Sequence, residues 1–286
     1  MSTPYTTLVL QGGGVKGSAY VGALKALEEK GVAGQLQRFA GTSAGSIIAA
    51  LLAAGYTHDD LSKVMTELDY NKLEDGKEPL RLLTHYGLYK GDFFLEWMRD
   101  RLSTKLQVQP TFADLPKDCH VFATNLNTRS LTEFSREKTP DVSVAEAVRC
   151  SMSIPLFFAA YSLGGSLYVD GGVILNYPFL DFEQRDPGTV LGLHLDDLSH
   201  KMPARHDLGY DHPVEYVKAL FETLVGAQQN AEFEIDSVAR KQSVRIDDDG
   251  IRATDFGISS AQKALLVENG YKATIAFLNG GRRVGG

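Results

Sequence analysis

The sequence predicts an α/β fold built on a mostly parallel sheet, and three observations carry that expectation. Short apolar runs rich in β-formers alternate with helix-patterned segments over residues 6–55. Glycines punctuate the junctions between them. Strand, helix, strand, helix at this spacing implies parallel neighbours joined by right-handed crossovers.

Each element has its own signal. "TTLVLQ" (6–11) is a buried-strand run stopped by three glycines. In "GSAYVGALKALEEKG" (17–31), Ala19, Ala23, Leu24 and Leu27 share one helical face and Gly31 fits a C-cap. "LQRFAGT" (36–42) is the next strand, and "AGSIIAALLAAG" (44–55) is a helix apolar on nearly every side, hence buried. Residues 57–116 change character: they are charged and helix-patterned without a strand signal, which predicts a helical insertion or cap. Within it, 58–70 and 91–106 are amphipathic. Strand signals return at 119–127 and 130–135, a hairpin, followed by a helix at 143–152 and an apolar stretch at 153–165. Strands follow at 166–170 and 189–195, then helices at 213–243 and 260–278.

Composition bounds the function. The chain of 286 residues is 43% apolar and 9% aromatic, enough for a real core. A net charge of −7 with no Lys/Arg run excludes a basic nucleic-acid stripe. It also argues against capture by anionic lipid through charge alone. Cys119 and Cys150 stand in no metal or redox spacing and read as reduced structural thiols. The first residues lack a signal-peptide pattern, so the expected location is cytoplasmic or peripheral to a membrane, with export by a specialised route left open.

"GTSAG" (41–45) has the form G-x-S-x-G between a strand and an apolar helix, the context this nucleophile motif requires. A serine on such a turn adopts strained backbone angles, so its neighbours must be small: Gly41 and Gly45 allow close approach, and Thr42 and Ala44 flank Ser43. The unpaired N–H groups of the helix start can stabilise negative charge there. An ordinary glycine-flanked turn is the competing reading. "GGGVKG" (12–17) fits an oxyanion loop, with backbone N–H donors at Gly13 and Gly14 and with Lys16 either bonding loop carbonyls or adding charge. It also matches G-x-G-x-x-G of dinucleotide sites. Yet no acidic residue stands near 35–37 to meet a ribose, and Walker A spacing is absent. In "YVDGG" (168–172), Asp170 closes a strand before Gly171 and Gly172 and can approach another loop's serine; a plain D-G turn explains it equally when taken alone.

Taken together, the stretches Gly12 to Gly17, Gly41 to Gly45, and Asp170-Gly171-Gly172 resemble the patatin-like phospholipase family, whose signature is G-G-G-x-[KR]-G, then G-x-S-x-G, then D-G-[GA]. "SMSIPLFF" (151–158) is similar to the S-x-x-x-P segment that precedes the family's aspartate. The resemblance spans about residues 6 to 195. It implies a three-layer α/β/α sandwich and one domain over 1–286. It further implies a lipid acyl hydrolase acting on phospholipids or lysophospholipids through a Ser43–Asp170 dyad, with no histidine and no cofactor. Gly12, Gly13, Gly14, Lys16, Gly17 and Ala44 would form the oxyanion site. Some bacterial members need a host-protein or nucleotide activator, which keeps an activator open as a partner beside the membrane-surface lipid. Two alternatives stand. One is a Ser–His–Asp esterase or thioesterase using His194, His200, His206 or His212. The other is a non-catalytic nucleotide- or lipid-binding regulator.

Three further features have blander readings. Phe93, Phe94, Trp97, Met98 and Leu102 line one side of a helix and fit core packing better than membrane docking. "PLFFAAY" (155–161) suits an acyl pocket or the core equally. "RIDDDG" (245–250) reads as an exposed acidic turn, and no metal site is expected.

Overall fold

The computed structural model describes residues 5–76, 81–84, 86–198 and 237–280, together with isolated positions between 216 and 226. An eight-stranded sheet forms the middle layer. Its strands are β1 (Thr7–Leu10), β2 (Arg38–Thr42), β4 (Asp118–Asn125), β5 (Ser130–Ser135), β7 (Tyr161–Leu163), β8 (Ser166–Asp170), β9 (Val190–Asp196) and β10 (Ser243–Asp247). The order is β10-β9-β1-β2-β4-β8-β7, with β5 also paired to β4. Strands β10, β9, β1, β2 and β4 run parallel to one another, while β5, β8 and β7 join antiparallel.

Side-chain alternation along the strands feeds two apolar layers, one on each face. Leu8, Leu10, Phe39 and Val121 enter the larger core, beneath α1 (Ala19–Glu29), α2 (Ala44–Ala53) and the C-terminal helix Ser260–Leu278. The intervening Val9, Ala40 and Phe122 enter the smaller core, covered by Phe179 and Phe182 of α7 (Phe179–Arg185) and by Ala239 of the helix Ser237–Gln242. Helices on both faces of a mostly parallel sheet make the expected three-layer sandwich.

The insertion is helical, with α3 (His58–Glu67), the single turn α4 (Arg81–Thr84) and α5 (Asp92–Leu106), but it also holds a strand the sequence did not signal. β3 (Gly87–Tyr89) pairs parallel with β6 (Leu156–Phe158) in a separate two-stranded sheet. Three residues are too few for strand periodicity to show. On α5, Phe94, Met98 and Leu102 are fully buried, and Phe93 and Trp97 pack against the same core, so this stripe is core packing. Cys119 and Cys150 are free and buried, and burial pushes both thiols up.

Two corrections fall at the C-terminal side. Ser243–Asp247 is an edge strand parallel to β9, where a helix end followed by an exposed acidic turn was expected. The alternation of buried Val244 and Ile246 around exposed Arg245 is a strand pattern too short to stand out. The turn that follows is not fully exposed either, since Asp248 is 1% exposed. Most of the helix expected at 213–243 lies outside the described residues, as do His200, His206 and His212.

Candidate active site

One strand edge assembles the site. β4 pairs with β2 through Phe122, opposite Thr42, and with β8 from Ala123, opposite Asp170. The C-terminal ends of β2 and β8 therefore meet head to head along one edge of β4. Ser43 is the residue after Thr42, so it is delivered beside Asp170 although 127 positions separate them in the chain.

Ser43 caps α2 with φ 51° and ψ −125°, the strained angles of a sharp strand-to-helix turn. A Cβ on Gly45 would lie 2.4 Å from the carbonyl oxygen of Leu10, and one on Gly41 would lie 2.3 Å from the carbonyl carbon of Gly45. Only glycine permits β1, β2 and α2 to close this tightly. The turn is held from below: the Ser43 backbone N–H donates to Ser151 Oγ at 2.9 Å, and Ser151 Oγ donates to the Phe122 carbonyl at 2.6 Å.

Asp170 is 2% exposed. Its Oδ1 accepts the Gly172 N–H at 2.7 Å, and its backbone N–H donates to the Ser153 carbonyl at 2.9 Å. Oδ2 is buried without a hydrogen bond among the described residues. Burial raises the carboxyl to about 7, against the opposing pull of the neighbouring Ser43 hydroxyl and the Gly172 N–H. A carboxyl at that value is half ionised at neutral pH, matched to proton transfer.

The glycine loop lies across the N-terminus of α2. Gly12 is engaged on both sides by Asn176: its N–H donates to the Asn176 carbonyl at 3.0 Å, and its carbonyl accepts Asn176 Nδ2 at 3.1 Å. The N–H groups of Val15 and Lys16 donate to Ala253 and Gly13 carbonyls. Those of Gly13, Gly14 and Ala44 make no hydrogen bond among the described residues. Gly17 packs against Ala44, where an added Cβ would sit 3.2 Å from the alanine side chain. Lys16 bonds no carbonyl of the loop through its side chain; its Nζ pairs with Asp248 Oδ2 at 2.7 Å.

Ser43 opens onto an apolar pocket. Ile47 and Ile48 of α2, Met65 of α3, Leu68, and Tyr70 and Leu73 of the following 3-10 turn form one side. Phe94, Met152, Ile154, Phe158 and Phe256 form the rest, and Gly14, Gly17 and Ala44 complete the lining. Within 155–161, Phe158 thus reaches the pocket while Phe157 is core. Among the described residues no histidine lines this pocket. His194 is buried in β9, hydrogen-bonded to Gln11 and edge-on to Tyr177, and burial lowers it to about 4.

Several supporting residues escaped the sequence reading. Arg149 of α6 (Val144–Ser151) is 2% exposed and donates to the carbonyls of Lys90, Gly91 and Ala159 and to Ser153 Oγ, tying the insertion to the segment that bonds Asp170. A lone arginine inside a buried helical run was its signal. Ser151 lay within a quoted motif without an assigned task. Asn176 and Asp248 had no local signal, because their partners lie 164 and 232 positions away.

The comparisons with known proteins agree with this architecture. The family model "Patatin-like phospholipase" matches residues 8–182. The uncharacterised protein YqhO of Bacillus subtilis is 35% identical, over 96% of this chain and 98% of its own length. A probable lipid hydrolase, 463L, of invertebrate iridescent virus 6 is 29% identical over 61% of this chain and 62% of its own. Among solved structures, VipD from Legionella pneumophila superposes with a TM-score of 0.66 at 20% identity, over 97% of this chain and 67% of VipD. Among the described residues no helix is long and apolar enough to cross a membrane. With the Ser43 and Asp170 stretches meeting at the β4 edge, the glycine loop beside them at the start of α2, and the family model covering more than half the sequence, the chain belongs to the patatin-like phospholipase family.

Proposed function

We propose that this chain is a serine carboxylic-ester hydrolase of phospholipase A or lysophospholipase type, working through a Ser43–Asp170 dyad. The observation that carries the reading is a serine on a strained turn, beside a buried carboxyl raised to about 7, at the mouth of an apolar pocket. The lipid-hydrolase relative and the family assignment support the substrate class.

In the reaction Ser43 Oγ attacks the ester carbonyl while Asp170 Oδ2 takes its proton. The oxyanion of the tetrahedral intermediate is met by the N–H groups of Gly13, Gly14 and Ala44. Collapse breaks the C–O bond to the alcohol, which receives the proton from Asp170. Water, deprotonated by the same carboxylate, then releases the fatty acid and restores Ser43. The pocket accommodates the acyl chain, whose burial favours long-chain esters.

The test is product mass spectrometry on mixed phospholipid vesicles, with fluorophosphonate labelling in parallel. Wild type should release free fatty acid and become labelled at Ser43, whereas Ser43→Ala should do neither. Labelling without lipid cleavage would favour a different ester substrate. Absence of both would leave a non-catalytic regulator.

A further inference from the structure

We propose that the Lys16–Asp248 ion pair is a positioning clamp through which the segment after β10 sets the geometry of the oxyanion loop. The proposal rests on the dyad reading above. Three successive loop residues are attached to one short segment. Gly14, with φ +55°, packs so closely that an added Cβ would lie 2.0 Å from the Ala253 carbonyl oxygen. Val15 donates its N–H to that carbonyl at 3.1 Å. Lys16 Nζ meets Asp248 Oδ2 at 2.7 Å, with side-chain exposures of 14% and 2%.

Asp248 is itself anchored. Its N–H donates to the Asp196 carbonyl at the end of β9, its Oδ1 accepts the Gly250 N–H at 3.1 Å, and its carbonyl accepts the Ile251 N–H at 3.0 Å. The segment is thus braced against the sheet and presents one carboxylate oxygen to Lys16. The carboxylates of Asp197, Asp247 and Asp248 approach within 4.8 Å of one another, and the Lys16 ammonium bonds to that group through Asp248. Farther along, Phe256 enters the wall of the Ser43 pocket. One segment, lying beyond the residues that the family model matches, therefore touches both the loop and the pocket.

This geometry separates two tasks for Lys16. A direct role at the oxyanion needs the ammonium at the pocket, yet Lys16 is not among the pocket-lining residues and its charge is matched by a buried carboxylate. Its task is to hold Gly13 and Gly14 in register with Ala44, so that their N–H groups converge. Opening the pair displaces those donors without deleting them.

The experiment compares Lys16→Met, Asp248→Asn, the double variant and Lys16→Arg with wild type on a medium-chain p-nitrophenyl ester. Hydrogen exchange over residues 11–18 is read for each. The double variant removes both charges, so no lone buried charge threatens the fold. Each single variant should lower kcat about 10- to 100-fold, less than the 10²–10³ lost with a deleted donor, while KM moves less than about threefold. The double should lose no more than the worse single, because the clamp is already open. Lys16→Arg should recover most of the loss seen in Lys16→Met. Exchange over 11–18 should quicken wherever kcat falls. Wild-type kcat in a folded single variant, additive losses, a change confined to KM, or unaltered exchange would overturn the clamp. If wild type shows no Ser43-dependent hydrolysis, the dyad reading fails, and exchange alone decides the clamp.

Discussion

The backbone N–H of Ser43 donates to Ser151 Oγ, and that hydroxyl donates onward to the carbonyl of Phe122. The residue with the most strained backbone at the site is therefore tied to β4, the strand that also positions Asp170. Ser151→Ala would leave the buried Ser43 N–H without a partner, at a cost of about 1–3 kcal/mol. The expected outcome is a lower melting temperature together with reduced kcat, as the turn relaxes. Ser151→Thr, which keeps the hydroxyl, should recover part of both. Equal activity in wild type and a folded Ser151→Ala would show that the turn needs no such support.

Gly14→Ala should be felt twice. Its φ of +55° disfavours any side chain, and its Cβ would collide with the Ala253 carbonyl. Gly31 supplies the control, having φ +70° with nothing within 4 Å of an added Cβ. Both variants carry the left-handed cost of about 1–2 kcal/mol. Only Gly14→Ala should also lose turnover, by on the order of 10²–10³ if a donor is displaced from the oxyanion. Thermal melts and steady-state rates on the pair separate strain from catalysis, and matching rates would remove Gly14 from the site.

What the sequence disclosed and what it concealed differ in range. The G-x-S-x-G turn, the glycine loop and D-G-G each have local causes, because tight turns leave few residue choices within five or six positions. The alternation of β1 and β2 with α1 and α2 was legible for the same reason. The β4 edge that joins β2 to β8 was not, since strand order is set by pairings between distant segments. Asp248 illustrates the limit. "RIDDDG" looks solvated by composition, and only the fold shows that one of its carboxylates faces Lys16. The stripe on α5 shows another: periodicity revealed a face but not what covers it.

The pocket gives a prediction about chain length. Met65 lines it from α3 and is 8% exposed. A flexible thioether fills irregular space and adapts to a ligand. Met65→Trp should narrow the pocket while leaving Ser43 and Asp170 in place. Long-chain esters should lose about 10-fold or more in kcat/KM relative to acetyl esters, since even one methylene gained or lost in an apolar pocket changes binding by about 1–3 kcal/mol. A rate profile across acyl lengths from two to sixteen carbons reads this directly. A uniform loss at every length would mean that the chain lies elsewhere.

Asp170→Asn should abolish activity and stabilise the protein at once. Burial raises the folded-state carboxyl to about 7, whereas in the unfolded chain it returns to the ordinary range near 3.9. Between those values the folded state binds a proton that the unfolded state does not. Wild-type stability therefore falls as pH rises from about 4 to about 7, by on the order of a few kcal/mol, and is level above. The asparagine side chain stays neutral, so it does not incur that loss. It can still accept the Gly172 N–H through Oδ1. The variant should melt higher than wild type at pH 8, with the difference closing toward pH 4. Activity moves the opposite way: wild-type kcat/KM should climb through about pH 7 as the carboxylate forms, and the variant should show no such limb. Melting curves and pH–rate profiles on both proteins make the check. A variant less stable at pH 8, or one that keeps the limb near 7, would mean that Asp170 is not the buried base.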